Sequence, residues 1–147
     1  HFAFLFNWAG KPWLTQKYTR KLLEEAFNTS PLKGWPGEED QGQLGAWYVM
    51  ASMGLFQMKG GCSVEPYYDL SSPVFDTVRI HLDETYYPGN TFTIITRNNS
   101  ADHVYIQRMT LNGEPFRKLR LDHQDLVAGG ELILELGPDP NSNLIQP

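Results

Sequence analysis

Glu38, Glu39 and Asp40 stand in a row directly after Pro36-Gly37, at the mouth of an apolar run that continues to Gly54. Adjacent carboxylates can do acid–base chemistry. A carboxylate takes a proton from water when its pKa suits the working pH. A neighbouring carboxylate raises that pKa by opposing a second negative charge. In an extended turn Glu38 and Asp40 point the same way and Glu39 points away. Such a pair, on a loop at the head of a helix, suits hydrolysis of a glycosidic bond. The same residues also have a purely structural reading. Acids at a helix N-terminus gain about 0.3–1 kcal/mol each from its dipole. Asp40, with Gln43 three residues on, has the form of a capping box. The local pattern leaves both readings open.

The elements that must position this loop fall into two parts. Up to about Met58 the chain reads as helical. Pro12 suits a first helical turn. Tyr18, Leu22, Leu23, Ala26 and Phe27 then recur at helical spacing until the breaker cluster Asn28–Pro31. A further helix is expected from near Asp40, with Leu44, Trp47, Tyr48 and Ala51 on its buried face and Gly54 stopping it. Residues 59–73, with Gly60-Gly61, Pro66 and Pro73, read as a connection. Residues 74–137 read as antiparallel strands: Val78–Leu82, Thr91–Thr96, Val104–Leu111 and Leu132–Leu136. Turn signals separate them, the strongest being the hairpin dipeptide Asn112-Gly113. Residues 138–147 read as an irregular tail. The expected class is α+β, helices first and antiparallel strands after.

The 147 residues carry a formal net charge of −5, with 41% hydrophobic and 20% charged residues. That balance suits a globular protein and disfavours nucleic acid or an anionic membrane as partner, since both call for a basic face. No apolar run is long enough to span a bilayer. The lone Cys62 forms no intramolecular disulfide and reads as a small packed thiol. His1, His81, His103 and His123 show no metal-ligand spacing. An apolar opening at His1 without a methionine reads as a cut inside a longer protein.

The stretch GWPGEEDQGQLGAWYVMASMGLF resembles a signature of glycoside hydrolase family 92, the calcium-dependent exo-acting α-mannosidases, at Gly37, Glu39, Asp40, Gly42, Gln43, Ala46, Trp47, Tyr48 and Val49. HFAFLFNWAGKPWLTQ resembles the family's preceding segment. VYIQRMTLNG and HQDLVAGGEL resemble its closing β-region. The resemblance implies the last helices of an (α/α)6 barrel followed by β-structure. It implies an inverting hydrolysis of terminal α-mannosides of glycans, with α-1,2 linkages among the substrates. Carried over by position, Asp40 is the general base and Glu38 an assisting acid, although the family commonly has Asp or Asn at the latter position. The catalytic acid and the calcium ligands are implied to lie upstream, in a missing N-terminal part of the same polypeptide. The implied source is bacterial, the location periplasmic or extracellular, and the isolated chain is expected to be inactive.

Trp35, beside the acidic loop, is the aromatic residue best placed to meet a sugar, whereas Trp13 and Trp47 fall at packing positions. Asn28-Thr29-Ser30 and Asn98-Asn99-Ser100 fit an N-glycosylation pattern and are read as turns. The competing readings are a non-catalytic carbohydrate-binding module, which calls for an aromatic row on the sheet, and a helical-barrel glycosidase of different specificity.

Overall fold

The computed structural model describes residues 1–37 and 41–145. A 3-10 turn at Phe2–Phe4 leads into the short helix α1 (Leu5–Trp8), then α2 (Pro12–Glu25) and α3 (Gln43–Ser52). Two sheets follow. The first holds β1 (Leu55–Phe56), β2 (Tyr67–Leu70) and β7 (Arg120–Asp122), in the order β1-β2-β7. The second holds β3 (Thr77–His81), β4 (Thr91–Arg97), β5 (Tyr105–Leu111), β6 (Glu114–Pro115) and β8 (Gly130–Gly137), in the order β3-β4-β8-β5-β6. A one-turn helix α4 (His123–Val127) feeds β8. The order of helices before strands matches the sequence reading. The segment read as a connection, 59–73, contains the strand β2.

The expectation of wholly antiparallel strands is corrected at one place. β8 runs parallel to β4, from Phe92 opposite Gly130 to Arg97 opposite Glu135, and antiparallel to β5 on its other side. A parallel neighbour calls for a long crossover. Here β5, β6, β7 and α4 supply it, and β8 threads back into the middle of the sheet. Period-two patterning gives each strand its buried face but carries no information about strand direction. The inward residues Phe92, Ile94, Leu132, Leu134 and Leu136 alternate with outward ones and pack on Leu55, Leu70, Ile106, Leu121 and Leu126. The Asn112-Gly113 dipeptide makes the expected two-residue hairpin between β5 and β6, both residues with positive φ.

The face that α2 turns inward departs from its apolar spacing. Thr15, Gln16 and Thr19 are fully buried with Leu23, while Tyr18 and Leu22 of the apolar stripe stand 39% and 40% exposed. The buried polar groups join helix to sheet. Gln16 Oε1 accepts the Ile106 N–H at 3.0 Å, beside the bulge between Ile106 and Arg108. Asn7 Nδ2 donates to the Leu70 carbonyl at 2.9 Å. Arg20 donates to the carbonyls of Pro73 and Ser100 and to Asn99 Oδ1. A smaller apolar cluster of Phe4, Leu23, Trp47, Ala51 and Phe56 fills the space among the helices.

One charged cluster bridges α1 and the small sheet. The Arg120 guanidinium lies between the rings of Trp8 and Tyr67, 3.9 and 4.6 Å from their centroids. Its Nε is 3.6 Å from Oδ1 of Asp69, which is fully buried. Burial pushes the Asp69 carboxyl above its ordinary pKa, against the opposing pull of Arg120.

Candidate active-site loop

The chain between α2 and α3 is the segment that carries the acidic triplet. Glu38, Glu39 and Asp40 themselves lie outside the described residues, so both proposed carboxylates, Asp40 and Glu38, are placed by sequence alone. Helix α3 begins at Gln43 with Gly42 as its N-cap, in left-handed backbone at φ 68°. The capping-box reading of Asp40 is corrected accordingly: Gly42 occupies the N-cap position, and a glycine offers no side-chain oxygen. The Gln43 side chain turns instead to His1, with Nε2 3.0 Å from the His1 Nε2. His1 also meets Phe56 edge-on at 5.4 Å. The fold thus brings His1 to the first turn of α3, a neighbour that spacing alone did not reveal. The signal that could have found it is the histidine opening the family-like HFAFLFNW segment.

On the other side, residues 28–34 form a closed loop. Asn28 Oδ1 accepts the Ser30 N–H at 2.8 Å, its Nδ2 donates to the Lys33 carbonyl at 2.9 Å, and its own N–H reaches the Gly34 carbonyl at 3.2 Å. Gly34 is required by close approach, since a Cβ there would sit 2.9 Å from the Ser30 carbonyl oxygen. This clasp delivers the chain to Trp35 in one direction. Phe27 is the hub of the aromatic group that receives it: Trp35 stands edge-on at 5.7 Å, Trp47 stacks at 5.6 Å, and Tyr48 leans on it at 5.0 Å. Trp47 is buried, as its position predicts. Trp35 and Tyr48 keep 45% and 40% of their surface. Rings held on one side and free on the other suit a sugar, whose C–H faces pack on aromatics while its hydroxyls need polar partners.

A cleft of about 630 Å³ opens between this aromatic face and the 28–34 loop, reaching Gly37. A second concavity of about 290 Å³ lies past Pro36, bounded by His1, Leu22, Gln43 and Trp47. The acidic triplet therefore follows directly on residues that line both hollows. The five-stranded sheet offers no aromatic row among the described residues: Phe92 is buried and Tyr105 is the other ring on its strands. Among the described residues no three His, Cys, Asp or Glu side chains gather as a metal cage, so the residues seen here do not by themselves fit a calcium site.

The helices also present apolar surface outward. Phe2, Leu22 and Val49 are 85%, 40% and 57% exposed. No helix among the described residues is long and apolar enough to cross a membrane.

The family model for the glycosyl hydrolase family 92 catalytic domain matches residues 1–138. An uncharacterized secreted glycosidase of Arthroderma benhamiae is 34% identical over 142 residues, covering 95% of this chain and 17% of that protein. Among solved structures, a family GH92 inverting mannosidase from Bacteroides thetaiotaomicron is 37% identical with a TM-score of 0.85, over 100% of this chain and 19% of that one. A second GH92 glycosyl hydrolase is 26% identical with a TM-score of 0.81, over 95% of this chain and 21% of that one. The chain spans about a fifth of the length of the relatives it matches.

Proposed function

The chain belongs to glycosyl hydrolase family 92, and we propose that it carries the general-base loop of an inverting exo-α-mannosidase acting on terminal α-mannosides of glycans outside the cell. The colinear family match across residues 1–138, with the acidic triplet inside it, carries this reading. Asp40 takes a proton from water as the water oxygen bonds to the anomeric carbon. The bond from that carbon to the leaving oxygen breaks, and an acid from elsewhere in the full-length protein protonates the departing oxygen. The configuration inverts because water and leaving group occupy opposite faces. Glu38 sits two residues before Asp40 and assists by holding the water or supporting the charge of the base. Trp35 offers a half-exposed ring to the sugar.

In this reading residues 1–58 supply the closing helices of an (α/α)6 barrel, and the upstream polypeptide covers the exposed Phe2, Leu22 and Val49. Calcium, implied by the family resemblance, is held by upstream ligands, and no step above runs through it. The 147-residue chain alone is then inactive.

The test is turnover of an α-mannoside by the full-length protein and its Asp40→Ala variant, each with and without calcium. General-base catalysis contributes typically 10²- to 10⁴-fold, so the folded variant is expected to lose at least about a hundredfold in kcat. Full activity in a folded variant would return Asp40 to a structural role.

A further inference from the structure

Residues 26–42 join α2 to α3 with no helix or strand among their described positions. A connection of this length is uncommon in a compact domain, and it usually either serves function or acts as a loose linker. Here its two ends meet on one side chain. By spacing Phe27 belongs to the apolar stripe of α2, but the helix ends at Glu25 with Ala26 as its C-cap, and Phe27 stands in the connection itself. Its ring meets Trp35 edge-on at 5.7 Å, on the way into the acidic segment. It meets Trp47 at 5.6 Å and Tyr48 at 5.0 Å in α3, on the way out. We propose that Phe27 is a positioning residue for the hydrolysis: its ring ties the entry of the acidic segment to its exit and so holds the general base at its working distance from water. The inference rests on the mannosidase reading, with Asp40 as the base, and adds the side chain through which the fold holds it.

The tie is anchored and the approach to the triplet has little slack. Phe27 packs on the core cluster of Phe4, Leu23, Trp47, Ala51 and Phe56. Asn28 takes up residues 28–34 in a closed loop of their own, so Trp35 follows directly on a fixed base. The ring of Pro36 holds the next φ near ~−65°. Gly37 and Gly42 flank the triplet at φ 143° and 68°, values that other residues rarely adopt. Among the described residues no atom lies within 4 Å of where a Cβ would stand on either one. Glycine is therefore required there by the path of the chain rather than by space.

A base acts on water in the transition state and does not hold the sugar in the ground state. Moving it by about 1 Å costs up to about a hundredfold in rate. The loss falls on kcat, with KM little changed. Phe27 also borders both hollows. A ring that held the sugar directly would show the opposite split, a raised KM.

The experiment uses the full-length protein and α-mannosyl fluoride, whose leaving group departs without protonation. Azide is the second probe. It carries no proton, so it bonds to the anomeric carbon as fluoride leaves with no base to assist it. Phe27→Leu removes the ring and Phe27→Tyr keeps it. Tyr48→Leu removes only a contact on the α3 side, and the same outcomes are read on it should Phe27→Leu not fold. Folding is checked by near-ultraviolet circular dichroism and urea midpoints. Folded Phe27→Leu is expected to lose roughly ten- to a hundredfold in kcat, with KM within about threefold. It is expected to recover turnover with azide, as folded Asp40→Ala does. Phe27→Tyr is expected to stay within about threefold of the unmodified protein, and Tyr48→Leu to show a smaller loss of the same kind as Phe27→Leu. An unchanged kcat, an effect confined to KM, or a loss that azide does not relieve overturns the positioning role and leaves the mannosidase reading intact. Full activity in folded Asp40→Ala, or no cleavage by the unmodified protein, overturns that reading and this proposal with it.

Discussion

Arg120 lays its guanidinium over the indole of Trp8, 3.9 Å from the ring centroid, and so pins α1 to the strand β7. The same side chain faces the buried Asp69 through Nε. Arg120→Ala removes the stack and strands a buried carboxyl, so we expect it to destabilise the protein by roughly 1–3 kcal/mol. Arg120→Lys keeps the charge but loses the planar stack and is expected to fall between the two. Urea midpoints of the three proteins decide it. Equal midpoints would mean that the stack is incidental.

Asp69 makes stability pH-dependent in a defined direction. Its folded pKa is raised, so in the window between its unfolded and folded values the folded state binds more protons. Stability from this group is therefore present at low pH and declines as pH rises through the folded value. Asp69→Asn is expected to flatten that part of the profile, with the variant gaining on the native protein as pH rises. Thermal midpoints of both proteins between pH 4 and 8, with a difference that does not vary, would refute it.

Gln16 is nearly fully buried and its Oε1 takes the Ile106 N–H. Gln16→Leu leaves that amide without its acceptor, at an expected loss of about 1–3 kcal/mol. Hydrogen exchange at the Ile106 amide should quicken more than at Leu134 in the neighbouring strand. Uniform quickening would instead report global destabilisation.

The Asn28 clasp holds a surface loop, so breaking it should disturb geometry more than stability. Asn28→Ala and Gly34→Ala are expected to change global stability by about 1 kcal/mol or less, the scale of a net hydrogen bond. The Trp35 fluorescence should change clearly, because the loop no longer sets its approach to Phe27. Unchanged emission in both variants would show that Trp35 is placed by Phe27 alone.

Much of this arrangement is legible in the residues, and the illegible part has physical causes. Turn chemistry is local, so Asn112-Gly113 and the alternation around Phe92 and Leu132 gave their strands directly. The place of β8 beside β4 depends on partners some forty residues apart and on a crossover that no local pattern encodes. β2 was hidden between the punctuating Pro66 and Pro73. α2 departs for a different reason: Tyr18 and Leu22 of its apolar stripe face outward, and the face it buries sets Thr15, Gln16 and Thr19 beside Leu23. At the site, Trp35 is read as a neighbour of the triplet, and the structure leaves its ring 45% exposed. The roles of Phe27, Tyr48 and Asn28 arise only once the loop folds back on the helices.

The bond from Gln16 to Ile106 joins positions 90 residues apart. A ribosome delivers α2 long before β5 exists to receive it. Until then the buried Gln16 lacks the amide it accepts from, while Leu23 already has Phe4 and Trp47 to pack on. Contacts this distant in sequence form late, since the closure of the intervening chain must come first. By that ordering the docking of α2 onto β5 is expected after short-range pairings such as β3 with β4. A refolding experiment should show strand signals settling ahead of protection at Gln16, and a chain stalled before Ile106 should leave its early helices exposed to proteolysis.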